Sequence, residues 1–121
     1  MSEYERKETF VDNLTKEQQF LLISMYKTVL SRQPALSFED ANYFSDSDEV
    51  NELLDLCIDS DHASDLCWKL EAKGYIACSP GNDLANNISL TDETIILMEN
   101  RFSRKLKKIS KVLASLIDLL K

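Results

Sequence analysis

The chain has 121 residues, enough for one domain that buries a core without disulfide bonds or a structural metal. Its hydrophobic and charged fractions, 44% and 29%, are those of an ordinary globular protein. No uninterrupted apolar run approaches about 18 residues, and residues 1–11 are charged, so we expect neither a membrane span nor a signal peptide. Three cysteines without CxxC spacing indicate reduced thiols, and together these features predict a cytoplasmic protein.

Charge is distributed unevenly along the chain. The formal net charge is −7, but residues 101–121 hold seven Lys and Arg side chains against one Asp, a net charge of +6. The remaining residues therefore carry −13. Between Gln33 and Trp68 there are ten acidic side chains and no Lys or Arg. An acidic body of this kind favours a basic partner, or a contact with the basic tail of a neighbouring molecule.

The first half of the chain predicts three helices. Thr15 is placed to cap the first helix, with Gln18 at the reciprocal position of a capping box, and Pro34 stops it. A short second helix is expected from Phe38 to Phe44. Residues 45–49 form another helix start. The inner face of the helix that follows would consist of Val50, Leu53, Leu54, Cys57 and Ile58.

The second half predicts a helix, a β-hairpin and a long final helix. Residues 59–61 are expected to end this helix and to cap the next one. The next helix runs to about Lys73, and Gly74 is a natural stop after it. Its inward residues would be Ala63, Leu66, Cys67 and Leu70. Residues 75–78 and 87–90 suit two strands joined by a turn over residues 79–83. Thr91 would cap a last helix that continues to Leu120, so the fold class is mainly α with a small β-hairpin.

Two sequence segments carry a resemblance to a known fold. Residues 66–76 read LCWKLEAKGYI, and residues 88–91 read ISLT. This pattern resembles the winged-helix module of bacterial regulators such as the MarR and PadR families, in which a helix ending in L-x-x-x-G-Y-I precedes a two-stranded wing closing on L-T. The resemblance implies a winged helix-turn-helix domain over residues 14–100. Residues 48–58 would be the positioning helix, 61–73 the recognition helix and 75–90 the wing. A flexible arm, residues 1–13, would precede this domain, and a basic amphipathic helix, residues 101–121, would follow it.

The sequence departs from the DNA-binding pattern at the positions that would contact phosphates. The recognition-helix segment has Lys69 and Lys73 but also Asp61, Asp65 and Glu71. The wing, residues 77–89, contains no Lys or Arg. DNA-binding proteins neutralise several phosphates with such cations, so this surface would repel a nucleic acid.

The first functional hypothesis is therefore a non-catalytic protein-binding module whose acidic face engages a basic protein. An inhibitor, such as a toxin-neutralising immunity protein that blocks a nuclease, would fit this charge pattern. Trp68 falls on the outer side of its helix and would be the anchor, although partial cover by the wing or by residues 37–46 is an alternative. An alternative for the acidic residues is that they form only a solvated surface, as most runs of charged residues do. The partner-binding residues would be Glu49, Glu52, Asp55, Asp59, Asp61, Asp65 and Trp68.

The second hypothesis is a dimeric winged-helix transcription regulator that binds DNA. Its phosphate contacts would come from Lys69, Lys73, Arg101, Arg104, Lys105 and Lys108. Its oligomerisation stripe would be Phe102, Leu106, Ile109, Leu113, Leu116 and Leu120, which recur at coiled-coil spacing. Alternatively this stripe packs on the first helix of the same chain. A third use of the basic helix, contact with an anionic membrane surface, would rely on the cations between Arg104 and Lys111.

The sequence offers little for catalysis or for metal and cofactor binding. His62 is the only histidine, and Gly74 and Gly81 are the only glycines, so a glycine-rich phosphate loop is absent from the sequence. A zinc site would lack a plausible ligand set, and the acidic runs lack the central glycine of a calcium loop. We therefore expect no enzyme activity, no bound metal and no cofactor.

Overall fold

A computed structural model describes residues 13–120, so the predicted arm at residues 1–13 lies outside the described part except for Asn13. These residues form six α-helices and three strands. In chain order the elements are α1 (Lys16–Ser31), α2 (Phe38–Ala41), β1 (Phe44–Asp46), α3 (Ser47–Leu53), α4 (Ser60–Ala72), β2 (Ile76–Gly81), β3 (Leu84–Leu90), α5 (Asp92–Phe102) and α6 (Leu106–Leu120). The fold is therefore mostly helical with a small antiparallel sheet, as the sequence predicts.

The α1 helix begins at the predicted capping box. The Thr15 hydroxyl accepts a hydrogen bond from the backbone N–H of Gln18 at 3.1 Å, and the Gln18 side chain accepts one from the N–H of Thr15 at 3.1 Å. Two N–H groups that have no partner inside the helix are thereby satisfied. The helix then ends at Ser31, three residues before Pro34.

The sheet has a third strand that the sequence analysis did not predict. Its strand order is β1-β3-β2, with Phe44 opposite Ile88 and Ile76 opposite Leu90. The prediction of a helix from Phe38 to Phe44 was wrong at its end, because α2 is a single turn that stops at Ala41. Phe44 is fully buried in β1, where extended backbone lets it pack in the core.

Asn42 extends the pairing of β1 with β3 by its side chain. Its amide donates to the carbonyl of Leu90 at 3.0 Å and accepts from the N–H of Leu90 at 2.9 Å. The register of β1 and β3 places Asn42 opposite Leu90, so the side chain replaces the backbone bonds that a longer strand would make. This contact spans 48 positions of sequence and fixes where β1 can begin.

The α3 helix is shorter than predicted. It ends at Leu53, and Asp55 and Cys57 have positive φ angles of 52° and 57°, which an α-helix cannot include. The Asn51 amide donates to the carbonyl of Ile58 at 2.6 Å, closing the irregular segment. Of the predicted inner face, only Val50 is fully buried, whereas Cys57 is exposed.

The α4 helix and its end at Gly74 follow the prediction closely. Asp59 caps the helix by accepting from the N–H of His62 at 2.7 Å. The predicted inward residues are all buried: Ala63, Leu66, Cys67 and Leu70. Gly74 has a φ of +84°, the left-handed conformation that ends helices and that glycine adopts at little cost. The predicted turn over residues 79–83 was too long, because β2 continues to Gly81 and β3 begins at Leu84, so only Asn82 and Asp83 form the turn.

The predicted continuous helix from residue 91 to Leu120 is divided into α5 and α6. Ser103 and Arg104 have left-handed backbone conformations, with φ angles of 52° and 59°. The Arg104 guanidinium bonds to the Glu99 carboxylate at 2.7 and 2.9 Å, which stabilises this turn. The break reorients the chain so that Phe102 on α5 and Ile109 on α6 both reach the core, where Phe102 stacks on Tyr26.

We expect Asn42→Ala to lower the free energy of unfolding by about 2 kcal/mol, because it removes both side-chain hydrogen bonds to a buried strand residue. Urea denaturation followed by circular dichroism measures this change. Asn100→Ala is the matched control, since Asn100 is exposed on α5, and it should change stability by less than about 0.5 kcal/mol. Equal stability of the Asn42 variant and the control would contradict the role given to this contact.

Candidate protein-binding surface

A hydrogen bond joins the starts of α3 and α4, where several of the acidic residues lie. The Ser60 hydroxyl, in the first turn of α4, donates to the Asp48 carboxylate in the first turn of α3 at 2.7 Å. Asp46 caps α3 by accepting from the N–H of Glu49 at 2.8 Å, as Asp59 does for α4. The N-terminal end of a helix favours negative charge, so these carboxylates stabilise both helix starts.

The predicted partner-binding carboxylates have different surroundings. Glu52 and Asp61 are exposed, and neither carboxylate has a hydrogen-bond or ion-pair partner within residues 13–120. Asp65 is exposed and pairs with Lys69 at 3.1 Å, a contact between two solvated side chains that contributes little to stability. Glu49 is half-buried and accepts from the N–H of Ser45 at 2.9 Å. Glu49 therefore has a structural contact, whereas the other three face solvent.

We call Asp48, Glu52, Asp55, Asp59, Asp61 and Asp65 the acidic surface. All six side chains belong to exposed residues at α3, at α4 or in the segment between them. No Lys or Arg occurs in this stretch of sequence, and the nearest downstream cation, Lys69, is already paired with Asp65. The negative field of this surface is therefore compensated only at its α4 end.

Trp68 is only partly exposed. Helical spacing places it on the side of α4 that carries Asp61, Asp65 and Ala72, all of which are exposed. Trp68 itself is half-buried and packs against the hydrophobic core. This corresponds to the alternative in which the indole is partly covered.

Most of the cations assigned to DNA binding are engaged within the chain. The Lys73 ammonium donates to the carbonyl of Asn13 at 2.7 Å and to the Gln18 side chain at 3.0 Å. Arg104 is bonded to Glu99, as described above. The Arg101 guanidinium lies 5.1 Å from the centre of the Phe102 ring, and its burial lowers its pKa. With Lys69 paired as well, only Lys105 and Lys108 of the six predicted cations are exposed without such a contact.

The predicted oligomerisation stripe is used largely inside the chain. Its buried members are Phe102, Ile109, Leu113 and Leu116. Leu106 and Leu120 are each 44% exposed. These four residues correspond to the alternative in which the stripe packs within its own chain. Ile109, Leu113 and Leu116 lie on α6, which packs against α1, whereas Phe102 lies at the end of α5 and stacks on Tyr26 of α1.

A cleft with a mixed polar and apolar lining, beside the acidic surface, was missed by the sequence analysis. It has a volume of about 470 Å³ and lies between the start of α1, the segment after α3 and the end of α6. Its apolar lining includes Phe20, Leu54, Leu56, Ile58, Ile117 and Leu120. The sequence assigned Leu54 and Ile58 to the inner face of a longer helix. In the structure a loop replaces the end of this helix, with an irregular backbone from Asp55 to Cys57. Hydrophobic periodicity alone does not detect such a loop.

Within residues 13–120, no group of three or more His, Cys, Asp or Glu side chains is arranged so that it could hold a metal ion. The single histidine, His62, contacts the Glu17 carboxylate through Nε2 at 3.0 Å and so links α4 to α1. Within the same residues, every helix is too short or too polar to cross a lipid bilayer.

Comparisons of the chain with protein-family models, with curated proteins and with solved structures gave no match.

The three cysteines are unpaired and differ in environment. Burial raises the pKa of the Cys67 thiol to about 12 and that of the half-buried Cys78 thiol to about 11. Cys57 is exposed, and its thiol donates to the Asp55 carboxylate at 3.4 Å. This hydrogen bond, together with the negative charge of Asp55, raises the pKa of Cys57.

We expect iodoacetamide at pH 8 to modify Cys57 first, then Cys78 and last Cys67, because the thiolate is the reacting form and access follows exposure. Asp55→Asn should increase the rate at Cys57 a few-fold, since the substitution removes the charge that disfavours the thiolate. Mass spectrometry of peptides over a time course measures the three rates. The rates at Cys67 and Cys78 serve as internal controls, and a slower reaction of Cys57 in the variant would contradict this account.

Proposed function

We propose that this protein is a non-catalytic, cytoplasmic protein-binding module whose acidic surface engages a basic protein. The observation that carries the proposal is the exposed negative charge of this surface, which is compensated only at its α4 end. Glu52 and Asp61 are exposed without partners in residues 13–120, and the stretch from Gln33 to Trp68 contains no cation. Three unpaired cysteines support a reducing compartment.

We further propose that the scaffold is a winged helix-turn-helix. The order of elements from α1 to β3 supports this: two helices, a strand, two helices and a β-hairpin. In this assignment α4 takes the place of the recognition helix and β2 with β3 forms the wing. The outer side of α4 then presents Asp61 and Asp65 where a DNA-binding member would present cations.

The charge of the acidic surface supports one class of partner. Exposed like charges create a field that accelerates the approach of a basic protein and disfavours the approach of nucleic acid. A protein that binds nucleic acid through a cationic site has the complementary field. We therefore propose an inhibitory role, such as that of an immunity protein that blocks a toxic nuclease, as the form of this function that best fits the charge.

The direct test uses the full chain as bait in a native lysate. We expect it to retain a basic protein, and we expect Asp61→Lys combined with Asp65→Lys to weaken retention at least about tenfold. The reason is that like charges in place of opposite charges cost more than about 1.4 kcal/mol at an interface. Retention by the unaltered chain should also fall as salt is raised, because exposed charges are screened.

A matched control carries the same change in net charge elsewhere. Glu93→Lys combined with Asp118→Lys alters exposed residues on α5 and α6 and should retain the partner nearly as well as the unaltered chain. Two results would reject the proposal. One is that no basic protein is retained, and the other is that both double variants behave alike.

A second function, DNA binding by a dimeric regulator, is favoured by one observation. Lys105, Lys107, Lys108 and Lys111 are all exposed around the start of α6 and have no ion-pair partner in residues 13–120. A gel-shift assay on the DNA upstream of the protein's own gene, at low and moderate salt, compares the two functions. Under the first proposal we expect no sequence-specific retention. Specific retention that falls steeply with salt and that requires Lys107 and Lys108 would favour the regulator instead.

A further inference from the structure

The cleft beside the acidic surface is built from three parts of the chain that are distant in sequence. Phe20 lies on α1, Leu54, Leu56 and Ile58 lie in the irregular segment after α3, and Ile117 lies near the end of α6. The three residues of the irregular segment are half-buried, and Ile117 is 41% exposed. The cleft therefore keeps apolar surface in contact with water, which a binding partner would gain free energy by covering.

Negative charge lies at this cleft as well. Glu17 and Asp55 belong to its lining. Asp55 is also part of the acidic surface, so the two features are continuous. Glu17 contacts His62, which follows Asp61 on α4, and this contact places the cleft next to the exposed side of α4. An occupant that brings a cation to the rim would meet carboxylates there.

The cleft continues along α1 into a second depression. This depression has a volume of about 510 Å³ and shares Phe20, Leu54 and Ile117 with the first. Its far end is lined by Lys27 and Arg32, and Arg32 already donates to the carbonyls of Ala41 and Tyr43. The cleft and the depression together are thus acidic only at the end that adjoins the acidic surface, and that end favours a cation.

We propose that this cleft anchors the basic partner by taking up a bulky apolar side chain that the partner presents beside a Lys or Arg. The cation pairs with Glu17 or Asp55 at the rim. This inference rests on the proposed function, because it specifies how a basic partner would bind. The partner would therefore bind through an amphipathic segment that carries both apolar residues and cations, and not through a uniformly charged segment.

Synthetic peptides test the cleft before the natural partner has been identified. The probe is a helical leucine–lysine peptide with leucine on one face. The comparison peptides are a serine–lysine peptide of the same charge and a leucine–glutamate peptide of the same apolar face. By isothermal titration calorimetry against the full chain, we expect the leucine–lysine peptide to bind at least about tenfold more tightly than either comparison peptide.

Two matched variants locate the binding site. Ile117→Ser removes an exposed side chain that lines the cleft, and Leu119→Ser removes one that is 63% exposed on α6 outside the lining. We expect the first to weaken binding of the leucine–lysine peptide about tenfold and the second to change it less than about twofold. Leu120→Ser, also in the lining, provides a second cleft variant if Ile117→Ser alters the urea denaturation midpoint.

The outcomes separate this inference from the proposed function. If Asp61→Lys with Asp65→Lys weakens peptide binding but both cleft variants bind normally, the acidic surface stands and the anchoring cleft is rejected. Tight binding of the leucine–glutamate peptide would reject the basic occupant. A concentration-dependent dimer that Ile117→Ser dissociates in sedimentation equilibrium would assign the cleft to a second copy of the chain, and it would also overturn the inference. Failure to recover a basic protein from lysate bears on the proposed function alone.

Discussion

The structure depends on satisfying the backbone N–H groups at the start of each helix. Helices α1 to α5 each begin after a residue whose side-chain oxygen accepts from the N–H three positions later. At α3 and α4 the acceptor is the carboxylate of Asp46 or Asp59, whereas Thr or Ser serves at the other three. Local folding therefore accounts for some of the negative charge between Gln33 and Trp68, including Asp61 in the first turn of α4, but not for Glu52 or Asp65, which lie outside the first turns and cap nothing.

Those remaining carboxylates contribute little to stability. An exposed charge in water interacts weakly with its neighbours, and like charges repel. Asp65 with Lys69 is the only ion pair of the acidic surface within residues 13–120, and both side chains are more than half exposed. The charge is therefore not needed to hold the fold together, and the proposed association with a basic protein would give it a role. Long-range steering acts on a partner before contact and needs no buried pair.

The sequence predicts an element well where its signals are local. The capping box at Thr15, the cap at Asp59 and the left-handed Gly74 all lie within a few residues of the ends they determine. Prediction fails where a distant contact decides. Asn42 bonds to Leu90 and thereby turns the expected end of a helix into the start of a strand. The break at Ser103 likewise accompanies the packing of Phe102 on Tyr26, a long-range contact that the periodicity of the last 30 residues does not reveal.

The same distinction applies to the candidate site. The acidic residues are visible in the sequence because charge is a property of composition, and capping explains why several of them lie together. The cleft is not visible, because Phe20, Leu56 and Ile117 become neighbours only after α1, the irregular segment and α6 have packed. A hydrophobic pattern identified Leu54 and Ile58 as inward-facing, but it did not distinguish a buried helix face from the half-exposed wall of a groove.

Charge and apolar surface would act at different stages of the proposed association. The acidic surface raises the rate at which a basic protein arrives, but pairs of exposed charges hold a complex only weakly. The lifetime of a complex depends mainly on contacts that are buried and exclude water, and such contacts set the dissociation rate. A surface with carboxylates alone would bind many basic proteins briefly. The cleft adjoining Asp55 adds a shape requirement, so a partner that fits it would be selected from other cationic proteins by its slower dissociation.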